Sequence, residues 1–331
     1  MILFNTRSLH IIIACASLLP VCGARAQSPF PLRAVQLIVP YGAGSSDLMA
    51  RITSSCLAAR FKQAVPVINK PGANTQVGNS FVKMAPPDGY TLILTSSSAV
   101  TDLAIVKAPT FDIRQDLDPV TKMVIGKQGL YVNATSQFNT LADFLSYAKA
   151  NPGKVNYGTT GIGSVNQISV EAMALDAGIK MVHVAYSQGT GAVLTALMAG
   201  ELQFVMIGMS GAQAALNTGK IRLLSVFEKQ RPPARPDLPT VVEIMPSMAA
   251  FTGTLWWGFF VPPKTPKEIT QKVHAEIIAC LGDQGVRAAL KNLGFEDNDI
   301  IGNSPDEFRA AISDEVRSLK DVVQKANLPL L

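Results

Sequence analysis

Residues 39–51 read Val-Pro-Tyr-Gly-Ala-Gly-Ser-Ser-Asp-Leu-Met-Ala-Arg. They close an apolar run that begins at Val35, turn on small residues, and open a helical pattern at Ser46. Strand, glycine turn and helix in that order leave the first backbone N–H groups of the helix without partners. The helix dipole makes that end a seat for an anion. The turn is not a nucleotide loop. A P-loop requires a Lys after the turn, and a dinucleotide loop requires a third Gly where Asp47 stands. Asp47 itself suits the first turn of a helix, where it complements the dipole. A second turn of the same kind, Asn156–Gln167 (NYGTTGIGSVNQ), again follows a short strand and opens a helix. One such turn can be no more than a tight turn with a good N-cap. Two, in matching positions of two lobes, point to a clamp for a carboxylate that needs no Arg or Lys.

Working outward from the first turn, apolar runs bounded by Gly or Pro alternate with helical patterns. Strands are expected at Val35–Val39, Val65–Ile68, Tyr90–Thr95, Val155–Tyr157, Met181–Val184, Gln203–Ile207 and Ile221–Val226. Helices are expected near Asp47–Phe61, Gln76–Met84, Leu141–Ala150, Asn166–Ala177, Gly189–Ala199 and Gly211–Asn217. This βαβα order implies parallel sheets covered by helices. Two segments read as crossings between lobes. Pro119–Val132 holds two short apolar strands around Gly126. Thr252–Val261 (TGTLWWGFFV) is an aromatic strand between Pro-rich stretches. Only helices follow, at Pro266–Leu281, Asp283–Leu293 and Pro305–Ala326, two of them preceded by Thr or Ser before a proline. The expected architecture is α/β and two-lobed, each lobe a mostly parallel sheet flanked by helices, with the ligand cleft at the carboxyl ends of both sheets. Residues 1–26 are assigned to a signal peptide, 27–122 plus 252–331 to the first lobe, and 123–251 to the second.

The bulk properties agree. The chain has 331 residues, 48% apolar and 16% charged, which suits a globular protein with a substantial core. Its formal net charge is +5, with no basic run longer than two residues, so no nucleic-acid partner is indicated. Arg7, the apolar stretch Leu9–Val21 and Ala24-Arg25-Ala26 form a secretory signal, with cleavage expected after Ala26. Without Arg7 and Arg25, 27 basic residues face 24 acidic ones, a net +3. A lipoprotein site at Cys22 fits less well, because Val21 is larger than the residue usual before a lipidated Cys. No later segment is long and apolar enough to span a membrane. Cys56 and Cys280 remain after cleavage. An oxidising compartment permits a disulfide between them, but two buried thiols are the expectation.

No catalytic constellation emerges. His183 is expected to hold a structural hydrogen bond in its strand, and His274 to lie on a solvated helix face. There is no G-x-S-x-G, no H-E-x-x-H and no Cys/His cluster with zinc spacing. No metal or cofactor is expected, and export with a two-lobed clamp favours binding over catalysis.

The residues at this point resemble the periplasmic substrate-binding proteins of tripartite tricarboxylate transporters, the Bug receptors. The resemblance runs from about Pro31 to Leu328. It rests on ordered blocks: VPYGAGSSDLMAR, NKPGANTQVGNSFVKMAPPDGYTL, NPGKVNYGTTGIGS, VHVAYSQGTGAVLTALMAGELQF, TGKIRLLSV, RPDLPTVVE and WWGFFVPPKTP. It implies a type II-like periplasmic binding protein fold, in which two α/β lobes close on a small carboxylate. It also implies membrane permease subunits as partners, and a monomer is expected. Carried over residue by residue, the ligand would meet Tyr41, Ala43, Gly44, Ser45, Ser46 and Asp47 in the first turn. In the second turn it would meet Thr159, Thr160, Gly161, Gly163 and Ser164, with Tyr186 also lining the cleft. The chain departs from the family pattern at Gly42-Ala43-Gly44-Ser45, at Ala185-Tyr186-Ser187-Gln188, where a lysine is absent, and at Met206-Ile207-Gly208, where an acid is absent. It departs again at SSSAVTDLAIVKAP after the third strand. These losses imply a ligand with one buried carboxylate and an apolar or aromatic body. The rival readings are an exported hydrolase-like enzyme using cleft residues, and a ligand sensor docking on a signalling protein.

Overall fold

A computed structural model describes residues 30–186, 188–232, 235–252 and 255–325. The segment assigned to a signal peptide and the expected cleavage site lie outside the described residues, as does Ser187. From Pro31 onward the described residues form one compact unit.

The first half of the chain runs β1 (Gln36–Val39), α1 (Ser45–Phe61), β2 (Val67–Asn69), α2 (Gln76–Lys83), β3 (Thr91–Ser96), α3 (Ser98–Ile105), α4 (Ile113–Asp116) and β4 (Asp118–Ile125). It crosses to β5 (Gln128–Asn133), α5 (Leu141–Ala150), β6 (Asn156–Thr159), α6 (Val165–Ala177), β7 (Val182–Ala185), α7 (Thr190–Ala199), β8 (Phe204–Gly208), α8 (Met209–Asn217), β9 (Ile221–Val226) and α9 (Val241–Ile244). It then returns through β10 (Trp256–Val261) to α10 (Lys267–Gly282), α11 (Gln284–Asn292) and α12 (Pro305–Lys325).

Two five-stranded sheets result, ordered β2-β1-β3-β10-β4 and β7-β6-β8-β5-β9. The two orders are the same pattern repeated. In each, three parallel strands are followed by one that runs the other way. Each sheet is thus mostly parallel, as expected, with one reversed strand that makes it mixed. The reversed strands are β5 and β10, the first strand after each crossing. A strand arriving from the other lobe enters at the carboxyl ends of its new neighbours, so it must run away from the cleft.

β10 shows how the crossing strands carry the core. Its alternate side chains face opposite sides. On one face Trp256 and Phe260 pack against Phe308 of α12, each with ring centroids 5.1 Å apart. Gly258 lies between them because a Cβ there would sit 2.5 Å from the Phe308 ring. On the other face Trp257 reaches α1 and meets Phe295 edge-on at 6.1 Å. A continuous apolar cluster holds Ile93, Leu103 and Phe308 of the first lobe and Phe144, Met173 and Phe204 of the second. Trp256 is only 1% exposed, although its indole N–H has to find a partner inside. It donates to Glu315 Oε2 at 2.6 Å.

Two expectations about side chains are corrected here. Cys56 and Cys280 are not free thiols but a disulfide, because α1 and α10 pack side by side with the two Cα atoms 5.8 Å apart. His274 is half-buried, its Nε2 3.1 Å from the backbone oxygen of Asn303, because the loop before α12 folds back over α10. His183 forms the expected structural bond, with Nε2 2.7 Å from Thr159 Oγ1 and its ring stacked on Tyr157 at 4.9 Å.

Candidate functional site

The lobes meet along a cleft at the carboxyl ends of both sheets. Its first cavity encloses about 530 Å³, including space open to solvent at the mouth. From the first lobe, Tyr41, Ala43, Gly44, Ser45 and Ser46 line it, together with Trp257. From the second lobe come Thr160, Asn166, Gly189, Thr190, Ile207 and Gly208. Among the described residues, none lining it carries a carboxylate, an amine, a guanidinium or an imidazole.

The chemistry of this cavity lies in helix ends. α1 begins at Gly44, whose φ of 155° has no ready substitute among L residues, and no side chain caps it. The first bond of the helix runs from Leu48 N to Gly44 O at 3.0 Å. The N–H groups of Ser45, Ser46 and Asp47 precede that bond and have no partner within the helix. Across the cleft, α7 begins at Gly189 (φ 97°), also without a side-chain cap. Its first bonds run from Ala192 and Val193 N to Gly189 O. α8 begins at Gly208, again uncapped by a side chain. Three helix starts with glycine N-caps thus border one cavity that contains no cation. That arrangement offers positive dipole ends and spare donors to an anion.

Three of the hydroxyls around it are already engaged, those of Ser46, Tyr41 and Ser96. Trp257 Nε1 donates to Ser46 Oγ at 2.7 Å, and Tyr41 Oη is 2.5 Å from Ser96 Oγ. Burial pushes the Tyr41 phenol up to about 12, so it stays neutral. Asp47 turns away from the cavity. Its carboxylate takes Arg51 Nε and Nη2 at 2.9 and 3.0 Å and Asn69 Nδ2 at 3.0 Å. Burial pushes its pKa up, but these bonds outweigh burial and hold it below the usual range. The negative charge in the first turn is thereby tied off behind the helix end.

The second glycine turn sits differently from the first. Of its predicted ligand residues only Thr160 reaches the first cavity, joined by Asn166 from the helix that follows. Gly161 and Gly163 line a neighbouring cavity with Asn74, Gln76 and Asp102, and Tyr41 and Thr160 border both. The second turn satisfies itself. Gly163 N donates to Gln167 Oε1 at 2.7 Å, Ser164 Oγ caps Gln167 N at 3.3 Å, and Thr159 Oγ1 donates to Gly161 O at 3.0 Å. Asp47, Thr159, Ser164 and Tyr186 line neither cavity. Tyr186 packs instead against the α7 side of the second lobe. Gly189, Thr190 and Gly208 carry the opposing helix ends, and sequence reasoning missed them. Gly189 and Gly208 each stand directly before a helix, the same signal that marked Gly44.

The lobes touch across the cleft. Thr101 Oγ1 donates to Gly163 O at 2.9 Å. A Cβ on Gly42 would lie 2.4 Å from the Gln188 backbone oxygen of the other lobe. Behind the cleft, Lys127 lies in the first crossing between β4 and β5. It pairs with Glu296 at 3.1 Å and Asp299 at 3.0 Å from the loop before α12.

Comparison with known proteins places this geometry. Residues 49–328 match the family model described as tripartite tricarboxylate transporter family receptor. A UPF0065 protein of Bordetella pertussis is 34% identical over 318 residues, 96% of each chain. Protein BugT of Bordetella pertussis is 27% identical over 304 residues, 91% of each chain. Among solved structures, a Rhodopseudomonas palustris protein described with adipate superposes with a TM-score of 0.82 at 27% identity. That match covers 91% of this chain and all of the other. MatC of Rhodopseudomonas palustris, described with bound malate, gives 0.79 at 27% identity over 89% of this chain and all of the other.

Proposed function

Because the chain belongs to the tripartite tricarboxylate transporter receptor family, we propose that it is a periplasmic solute receptor that closes on a small organic carboxylate and presents it to a membrane permease. The observation that carries this reading is the convergence of α1, α7 and α8, each beginning at a glycine without a side-chain cap, on one cavity without charged side chains. A carboxylate between α1 and α7 would be held by N–H groups from both lobes. Its binding energy then favours the closed state over the open one, which is what moves a two-state hinge. Ile207, Leu255 and Trp257 provide apolar wall beside that seat, which suits a ligand with an apolar or aromatic body. The relatives described with malate and adipate are consistent with a carboxylate ligand.

Three further observations support the reading. Two of the cavity's serines, Ser46 and Ser96, are bonded to Trp257 and Tyr41 rather than to a general base, which fits a binder better than a hydrolase. The Cys56–Cys280 disulfide suits an oxidising compartment. No helix among the described residues is long and apolar enough to cross a membrane, which suits a receptor that needs a separate permease. The test is thermal unfolding of the purified protein against a panel of mono-, di- and tricarboxylic acids. A ligand at 100 times its dissociation constant adds about 2.7 kcal/mol, a plainly raised melting temperature. A panel in which no acid shifts the transition would refute the proposal.

A further inference from the structure

Asp102, on α3, lies in the wall of the second cavity and is 4% exposed. Its Oδ1 accepts from Asn74 Nδ2 at 2.8 Å and its Oδ2 from Gln76 Nε2 at 3.0 Å. Both donors are neutral amides, and no cation among the described residues acts on this carboxylate. A buried carboxylate ordinarily pairs with a cation, because loss of water disfavours the charged form. Here burial pushes Asp102 up to about 6, with the two amides opposing it only in part. At neutral pH the group is mostly ionised and short of a partner. Two carboxylate oxygens offer about four acceptor positions in total, so about two remain open.

Its location gives that gap a meaning. The second cavity adjoins the first at Tyr41 and Thr160, which line both, so Asp102 lies on the side toward which a long ligand seated at α1 and α7 would extend. The Tyr41 phenol already feels the charge of Asp102. Pro40, Val106, Ala108 and Ile162 line the second cavity and would flank an aliphatic chain. Asp102 also lies at the closed seam. A Cβ on Gly163 of the other lobe would be 2.9 Å from Oδ1, and the adjacent Thr101 bonds Gly163 O across the cleft. Gly163 thus closes the side of the cavity that holds Asp102.

We propose that Asp102 reads the far end of the ligand, selecting carboxylates that carry an ammonium group there and rejecting those that carry a second carboxylate. The inference rests on the first cavity as the carboxylate seat. A distal ammonium fills the open acceptor positions and neutralises a buried charge. A distal carboxylate brings like charge into a site with little water, and such repulsion is how binding sites exclude near-identical competitors. A distal methyl group does neither.

The test is calorimetric titration of the purified protein at neutral pH with matched acids of four, six and eight carbons. Each length includes the ω-amino acid, the simple acid and the dicarboxylic acid, so that 6-aminohexanoate is set against hexanoate and adipate. The ω-amino member binds tightest at the length that fits, by about 10-fold or more over both others. Asp102→Asn removes that preference and narrows the gap to the dicarboxylic acid. A dicarboxylic or simple acid that binds as tightly as the ω-amino acid at every length overturns the inference while leaving the carboxylate reading standing. A folded Asp102→Asn variant that keeps the preference also overturns it. If that variant fails to fold, the order among wild-type affinities decides. Binding by none of the nine compounds overturns the assignment of Asp102, while the carboxylate reading stands or falls on the thermal panel of mono-, di- and tricarboxylic acids.

Discussion

Gly42 has no room for a methyl group when the lobes are together, because the atom in the way is the Gln188 backbone oxygen, 2.4 Å from where a Cβ would be. Nothing else in its own lobe is that close to it. Gly42→Ala therefore blocks closure without disturbing either core. The expected result is a ligand affinity weakened about 100-fold or more, since the closed state is taxed and the open state is not. The unliganded melting temperature should change little, and an unchanged affinity by calorimetry would contradict this assignment. At this scale the first glycine turn was legible because its residues do what their types suggest. Gly44 starts a helix with no cap, and Asp47 sits in its first turn. Thr159–Ser164 read just as well but folds back on its own side chains, with Gln167 taking the Gly163 N–H. Nothing in the turn's spacing shows that Gln167 reaches back. Gly189 and Gly208 obey the same rule, but each stands alone before its helix and lacks the run of small residues that leads into the helix at the other two turns.

Helices and strands of ordinary length followed the sequence closely. Leu141–Ala150 is helical over its whole expected length, started by a capping box in which Thr140 and Asp143 satisfy each other. α3 was not expected, because Ser98–Ile105 is buried on all sides and so has no polar face to mark a helical period. The same burial places Asp102 in the cleft wall. Pairing of Cys56 with Cys280 depends on how α1 and α10 pack, which no local pattern reports. The cross-link spans a sequence separation of 224 residues, so it restricts the unfolded chain strongly. A Cys56→Ala, Cys280→Ala double variant should lose about 2–5 kcal/mol of stability in denaturant unfolding. Its ligand affinity should hold, because Trp257 still ties Ser46 at the working end of α1.

The whole molecule is two copies of one sheet pattern joined by strands that reverse direction. Alternating strands and helices announced the two lobes, but the reversal follows from where the crossings enter, and sequence alone does not show that. The buried acids set a pH dependence at this scale. Burial pushes Asp102 up to about 6, and Glu228 and Glu315 up to about 7, from ordinary values of 3.8 and 4.5. Between those limits the folded chain holds protons that the unfolded chain has released, so stability falls as pH rises through the folded values. Asp47 and Glu276 act in the opposite sense. Burial works against them too, but their hydrogen-bonded cations hold both below the ordinary range. Their contribution is present above the ordinary range and lost as pH falls through it. The melting temperature of the unliganded protein should therefore peak at about pH 5 and decline toward pH 8. A melting temperature that rises steadily from pH 5 to pH 8 would contradict this assignment of buried acids.

The central claim is that backbone donors at facing helix ends hold a carboxylate, with no cationic side chain in the cavity. It is tested most directly by calorimetric titration of the purified protein with the tightest acid of the matched series and with its primary amide, which has the same shape and no negative charge. The amide should bind about 100-fold more weakly than the acid, or not at all. Equal affinity for acid and amide would contradict it.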